Sequence, residues 1–97
     1  MANIKVTPEE LESQGEALVG FSQNIADILG DVDKKVAEID NGWDGLAQDG
    51  YIDMYLEMKK SLDEFPKLVN ALGEATKAAA KAFSSVDEEL RNGFKAN

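Results

Sequence analysis

The 97-residue chain contains no cysteine and no histidine. The first absence excludes a disulfide framework, a thiolate metal site and a cysteine nucleophile. The second removes the commonest general base and the commonest transition-metal ligand. No cofactor, metal, small-molecule substrate or catalytic residue is therefore expected, and acidic pairs such as Asp49 with Asp53 arise by chance on any acidic helix. Basic residues are also scarce, 10 against 19 acids, for a net charge of −9. Phosphate backbones are bound by clustered cations, so nucleic acid is excluded as a partner. No apolar run approaches the roughly 20 residues of a membrane-spanning helix, and residues 1–10 have neither the basic start nor the apolar stretch of a cleaved signal peptide. There are only two prolines, and no alternating strand pattern competes with helix.

What is present is helical periodicity. A helix start is written at Thr7: its hydroxyl can accept from the Glu10 amide, Glu10 can reach back to the Thr7 amide, Pro8 suits the first helical position and Val6 can staple onto Leu11. Apolar residues then recur at Leu11, Leu18, Phe21, Ile25, Ile28, Val32 and Ile39, a heptad seam with Gln14 and Lys35 at its two polar positions and Val36 one place off it. A longer run takes Tyr51, Tyr55, Met58, Leu62, Phe65, Val69, Leu72, Thr76, Ala79 and Phe83 on through Val86, Leu90 and Phe94. Pro66 lies inside this run and predicts a bend near residues 64–67, because it removes one hydrogen bond of the helical ladder. Between the runs, Asn41 and Gly42 suit a left-handed exit from a helix and Asp44 suits the cap of the next.

The pattern predicts an all-α chain: one domain spanning residues 1–97, with a first helix over about 8–40, a bend at 41–46 and a second helix over about 47–92, folded as an antiparallel hairpin. Matching equal distances on either side of Trp43 places Val32 near Tyr55, Ile25 near Leu62 and Leu11 near Ala75. The first helix then ends, leaving the second uncovered beyond about residue 78. Exposing that stripe forgoes on the order of 1.5–3 kcal/mol for each large side chain. A second copy completing a four-helix bundle is the expected cover. The core of hairpin and dimer is expected at Leu18, Phe21, Ile25, Ile28, Val32, Tyr55, Leu62, Phe65, Val69 and Leu72. Charge is uneven too: residues 1–49 hold eleven acids and three lysines, the remainder eight acids and seven bases. That leaves two readings, a solvated acidic face or lysines of the second half lying against acids of the first.

The single tryptophan, Trp43, sits in the bend. It can plug the open end of the hairpin, or be displayed there to a partner; a half-buried tryptophan does both.

Two amphipathic helices with Trp43, Asp44 and Gly45 in the bend between them resemble the WXG family, the small early-secreted-antigen-like substrates of bacterial type VII (ESX) secretion systems. Members carry a C-terminal signal in which a tyrosine stands one helical turn before an acid, within a longer hydrophobic and acidic pattern. Here Phe83, Asp87, Leu90 and Phe94 match the longer pattern, with Phe83 keeping the aromatic ring and losing the hydroxyl. The resemblance implies a non-enzymatic, virulence-associated protein of a Gram-positive bacterium, made and folded in the cytoplasm and exported without a cleaved signal peptide. It also implies a homodimer in which the bend of one subunit (Trp43, Gly45) and the tail of the other (83–97) form a composite signal read by the secretion ATPase. The alternative is a targeting partner or chaperone, forming a heterodimer with a related small helical protein or a toxin's helical N-terminal domain and lending it the signal.

Overall fold

The first helix, α1 (Pro8–Asn41), starts where the capping chemistry directs it. Thr7 Oγ1 accepts from the Glu10 amide at 3.1 Å and Glu10 Oε2 accepts from the Thr7 amide at 3.3 Å. Two amides that the helix leaves without internal partners are thereby satisfied. The second helix, α2 (Leu46–Lys95), runs unbroken through Pro66. The computed structural model describes the backbone of residues 6–95 and the side chains of residues 6–85. Together the helices form an antiparallel hairpin measuring 80 × 22 × 17 Å.

The line along which the helices meet is made of small residues. On α1 the buried positions are Gly15, Ser22 and Val36, and on α2 they are Gly73 and Ala80. Each set follows a seven-residue spacing, which keeps a row facing its neighbour in a left-handed pair. Gly15 and Gly73 touch so closely that a methyl group on Gly73 would lie 2.8 Å from Val19 Cγ2 and 2.9 Å from the Gly15 carbonyl oxygen. Ser22 is buried with its hydroxyl satisfied, donating to the Val19 carbonyl at 2.6 Å.

This glycine contact goes with a register a few residues away from the one expected. Asp33 meets both Tyr55 and Lys59, and Glu16 meets Lys77, whereas Val32 was expected beside Tyr55 and Leu11 beside Ala75. The start of α1 consequently reaches further along α2: Pro8, Glu9 and Glu12 line one hollow with Ala80, Lys81 and Ser84. Cover therefore extends past residue 78, to Ser84.

The charge asymmetry resolves into two bridges between helices, Lys59 to Asp33 at 3.7 Å and Lys77 to Glu16 at 2.9 Å. Lysines of the second half do lie against acids of the first. The other ion pairs among the described residues join positions three or four apart on one helix, and such solvated pairs contribute about 0.2–1 kcal/mol each.

Candidate functional site

The bend is a short, hydrogen-bonded corner. The Gly42 amide closes α1 onto the Glu38 and Ile39 carbonyls, each at 3.2 Å, and the Trp43 amide reaches the Asp40 carbonyl at 3.3 Å. Gly42 itself has φ −95° and Asn41 is still helical. The left-handed exit expected there lies instead at Gly45, with φ +123°, the only positive φ among the described residues. A side chain at that angle would be strained, so glycine is needed there. Gly45 immediately precedes α2 and its carbonyl accepts from the Asp49 amide at 3.4 Å. It therefore takes the capping position expected of Asp44, because the chain must reverse before the helix can start.

Trp43 packs on Tyr51 with ring centroids 5.5 Å apart and planes tilted by 49°, within the range of favourable aromatic pairs. It stays 38% exposed. Behind it, Gln48 Nε2 donates to Asp40 Oδ1, and Tyr55 donates to Asp33 at 2.9 Å. Partial burial, followed by this hydrogen bond, raises the Tyr55 phenol above its ordinary value of 10.0. These contacts hold the corner as a defined shape that displays one indole face.

A second feature runs the length of the hairpin. Leu18, Ile25 and Val32 flank the buried row of α1 and are half-buried, and Phe21 and Ile28 lie one row further out, both exposed. On α2, Tyr55, Leu62 and Val69 are half-buried beside the Gly73 row, and Met58, Phe65 and Leu72 are the exposed row beyond. Because the helices run in opposite directions, both outer rows emerge on the same face of the hairpin. No large side chain is fully buried among the described residues. The opposite face holds an open groove of about 590 Å³ whose walls mix apolar Ala26, Leu29 and Pro66 with Asp33, Lys59 and Asp63.

The expected core residues thus divide into six that are half-buried in the hairpin and four, Phe21, Ile28, Phe65 and Leu72, that stand on its open face. Sequence reasoning missed the row that joins the helices, Gly15, Ser22, Val36, Gly73 and Ala80. The seven-residue spacing of these residues was the available signal. Of the C-terminal residues expected to act in export, Phe83 is a half-buried part of α2. The side chains of Asp87, Leu90 and Phe94 lie outside the described residues.

Among the described residues, no group of three or more acidic side chains is placed to hold a metal ion, and no helix is long and apolar enough to cross a membrane. What the chain offers is an amphipathic hairpin with a tryptophan corner. The family model described as "proteins of 100 residues with WXG" matches residues 3–88, and the chain belongs to this WXG100 family. Its proteins are secreted and non-enzymatic. The chain is similar to an ESAT-6-like protein of Streptococcus agalactiae, 29% identical over 90 residues, covering 93% of this chain and 94% of that one. It is similar also to the type VII secretion system extracellular protein A of Staphylococcus aureus, 27% identical over 94 residues and covering 97% of both. Among solved structures, EsxA of Geobacillus thermodenitrificans superimposes with a TM-score of 0.77 at 22% identity, over 92% of this chain and 97% of that one. The secreted protein EsxB of Bacillus anthracis does so with a TM-score of 0.73 at 21% identity, over 90% and 99%.

Proposed function

We propose that this chain is a substrate of a bacterial type VII secretion system, folded in the cytoplasm and exported as a homodimeric four-helix bundle. The observation that carries the reading is the apolar face: an isolated hairpin leaves Phe21, Ile28, Met58, Phe65 and Leu72 each more than half exposed. A continuous stripe of large side chains along one face favours a second hairpin as its cover. The extracellular relative in Staphylococcus aureus supports the destination. The signal is composite, with Trp43 and Gly45 of one subunit and Phe83 and Asp87 of the other read together by the secretion ATPase. Leu90 and Phe94 extend that surface along the tail.

Export from a host carrying a type VII system tests the proposal. Trp43→Ala removes an indole that packs on Tyr51 at the corner and is already 38% exposed, so the hairpin stays folded while the chain accumulates inside the cell. Removal of residues 83–97 has the same outcome. Normal export of folded Trp43→Ala protein refutes the composite signal. A purified protein that is monomeric, and dimerises only when a related helical chain is added, replaces this reading with that of a targeting partner.

A further inference from the structure

Two glycines shape the corner, and the fold requires only one of them. Gly45 has φ +123°, where a side chain would be strained. Gly42 has φ −95° and ψ 5°, the conformation of the third residue of a common turn, which most residues adopt. A methyl group on Gly42 would meet nothing nearer than the Glu38 carbonyl oxygen at 3.7 Å and the Ile39 carbonyl oxygen at 3.9 Å, both ordinary contacts. Neither the backbone nor its surroundings calls for glycine at this position. What the missing side chain does is leave the Gly42 nitrogen unshielded next to the carboxamide of Asn41, which is exposed.

We propose that Asn41 is a site of spontaneous deamidation whose rate is set by opening of the corner. The Gly42 nitrogen attacks Asn41 Cγ and forms a new C–N bond, closing a succinimide ring. The bond from Cγ to the side-chain nitrogen breaks, and ammonia leaves with the proton given up by the Gly42 amide. Water then opens the ring at either carbonyl. Breaking the bond between Cγ and the Gly42 nitrogen restores the original main chain with aspartate in place of Asn41. Breaking the bond between that nitrogen and the main-chain carbonyl carbon leaves the chain running through Cγ, as isoaspartate. Both products carry an added negative charge, and water is the only co-reactant.

The closed corner holds this reaction back. The Gly42 N–H is donated to the Glu38 and Ile39 carbonyls at 3.2 Å each while Asn41 is still helical, so the nitrogen is directed back along α1 and away from its target. The restraint is weak, however. Both bonds lie at the upper end of the usual range, and the last turn of α1 carries Glu38 and Asp40 with no basic residue, the unfavourable sign of charge for a helix C-terminus. A carboxylate made at Asn41 adds to that charge and favours further opening. Isoaspartate also inserts a backbone carbon between Asp40 and Trp43, whose carbonyl and amide are joined at 3.3 Å, and the Trp43 ring loses its present alignment on Tyr51. Asn24 and Asn70 are followed by Ile25 and Ala71, whose side chains shield the nitrogen that would attack.

The purified full chain, aged in mildly alkaline buffer with and without urea, tests this by peptide mapping, which resolves asparagine, aspartate and isoaspartate at position 41 and separates this site from the second Asn-Gly pair, Asn92 and Gly93. The native protein is expected to accumulate isoaspartate and aspartate at Asn41 while Asn24 and Asn70 persist, and urea to speed the conversion severalfold. Gly42→Ala, with unchanged helical circular dichroism, keeps Asn41 intact. In the native sample the emission of Trp43, the single tryptophan, shifts in step with isoaspartate, and in Asn41→Gln, which retains an amide but closes a less favoured ring, it stays constant. Asn41 that survives in the native protein as long as Asn24, or that converts equally fast in Gly42→Ala, overturns the proposal. Aspartate without isoaspartate overturns the succinimide route, equal rates with and without urea overturn control by the corner, and unchanged Trp43 emission in converted protein overturns the reshaping.

Discussion

Gly73→Ala and Gly30→Ala are chemically identical changes in the interiors of the two helices, yet the structure requires them to act in opposite directions. In a helix interior, replacing glycine by alanine is favourable by about 1 kcal/mol. At Gly30 nothing lies within 4 Å of the added methyl group, so the full gain is expected. At Gly73 the same methyl meets Val19 Cγ2 at 2.8 Å and, at 2.9 Å each, the Gly15 carbonyl oxygen and the Val19 amide nitrogen. Two of the three are backbone atoms, which yield only if the helices separate. Overpacking of this kind costs about 1–3 kcal/mol, enough to cancel the propensity gain and leave a net loss of up to roughly 2 kcal/mol. Urea denaturation followed by helical circular dichroism, at one protein concentration so that association contributes equally, reads the difference. In thermal melts each kcal/mol corresponds to about 4–8 °C for a domain of this size. Gly15→Ala falls between the two variants: its closest neighbour is the flexible Lys77 Cγ, with the Gly73 carbonyl behind it at 2.9 Å. If Gly73→Ala stabilises the protein as Gly30→Ala does, the close approach of the helices is wrong.

Phe65→Glu places a charge at the centre of the open face and is expected to give a helical monomer by light scattering; a dimer of unchanged stability refutes the role of that face. The hairpin should also weaken in alkali. Lys59 is raised above 10.5 chiefly by its hydrogen bond to Asp63, and Lys77 chiefly by Glu16, while Tyr55 is raised above 10.0. In all three the folded chain holds its proton more tightly than the unfolded one, so this stability is intact below pH 10 and is lost as the pH rises through the folded values. The urea midpoint is expected to fall above about pH 10, with Lys77→Met reducing the fall; a midpoint that climbs over that range contradicts the assignment. For Trp43→Ala, the expected result is a folded dimer with export abolished, measured by comparing cell and medium fractions.

How much of this could be read in the sequence depended on whether the signal was local. The Thr7, Pro8 and Glu10 cap involves neighbours only, and its geometry follows from the helix itself. Two helices and a tryptophan bend were equally legible, because periodicity and turn residues are properties of short windows. Which row of each helix faces the other was not. Large apolar residues advertise that a surface will be covered without saying by what, so Phe21 and Phe65 read as one seam with Leu18 and Leu62. The intramolecular contact belongs to residues with little hydrophobic signal, Gly15, Ser22, Gly73 and Ala80, whose merit is that they let two backbones come close. Gly15, with no side chain to signal a contact, is the place where α2 touches α1. At the corner, Asn41 and Gly42 had the right composition for a left-handed turn, but a reversal completed one residue before α2 assigns that conformation to Gly45.

Among the described residues no large side chain is fully buried, so the proposed pairing with a second copy would make dilution a denaturing variable. A fold finished by a second copy loses about 1.4 kcal/mol per mole of dimer for every tenfold fall in concentration, with no change of pH, temperature or sequence. Such a chain is most durable where it is synthesised and crowded among its own copies. Once released into a large volume its lifetime becomes a matter of how far it spreads, so distance from the producing cell acts as a clock on the folded state.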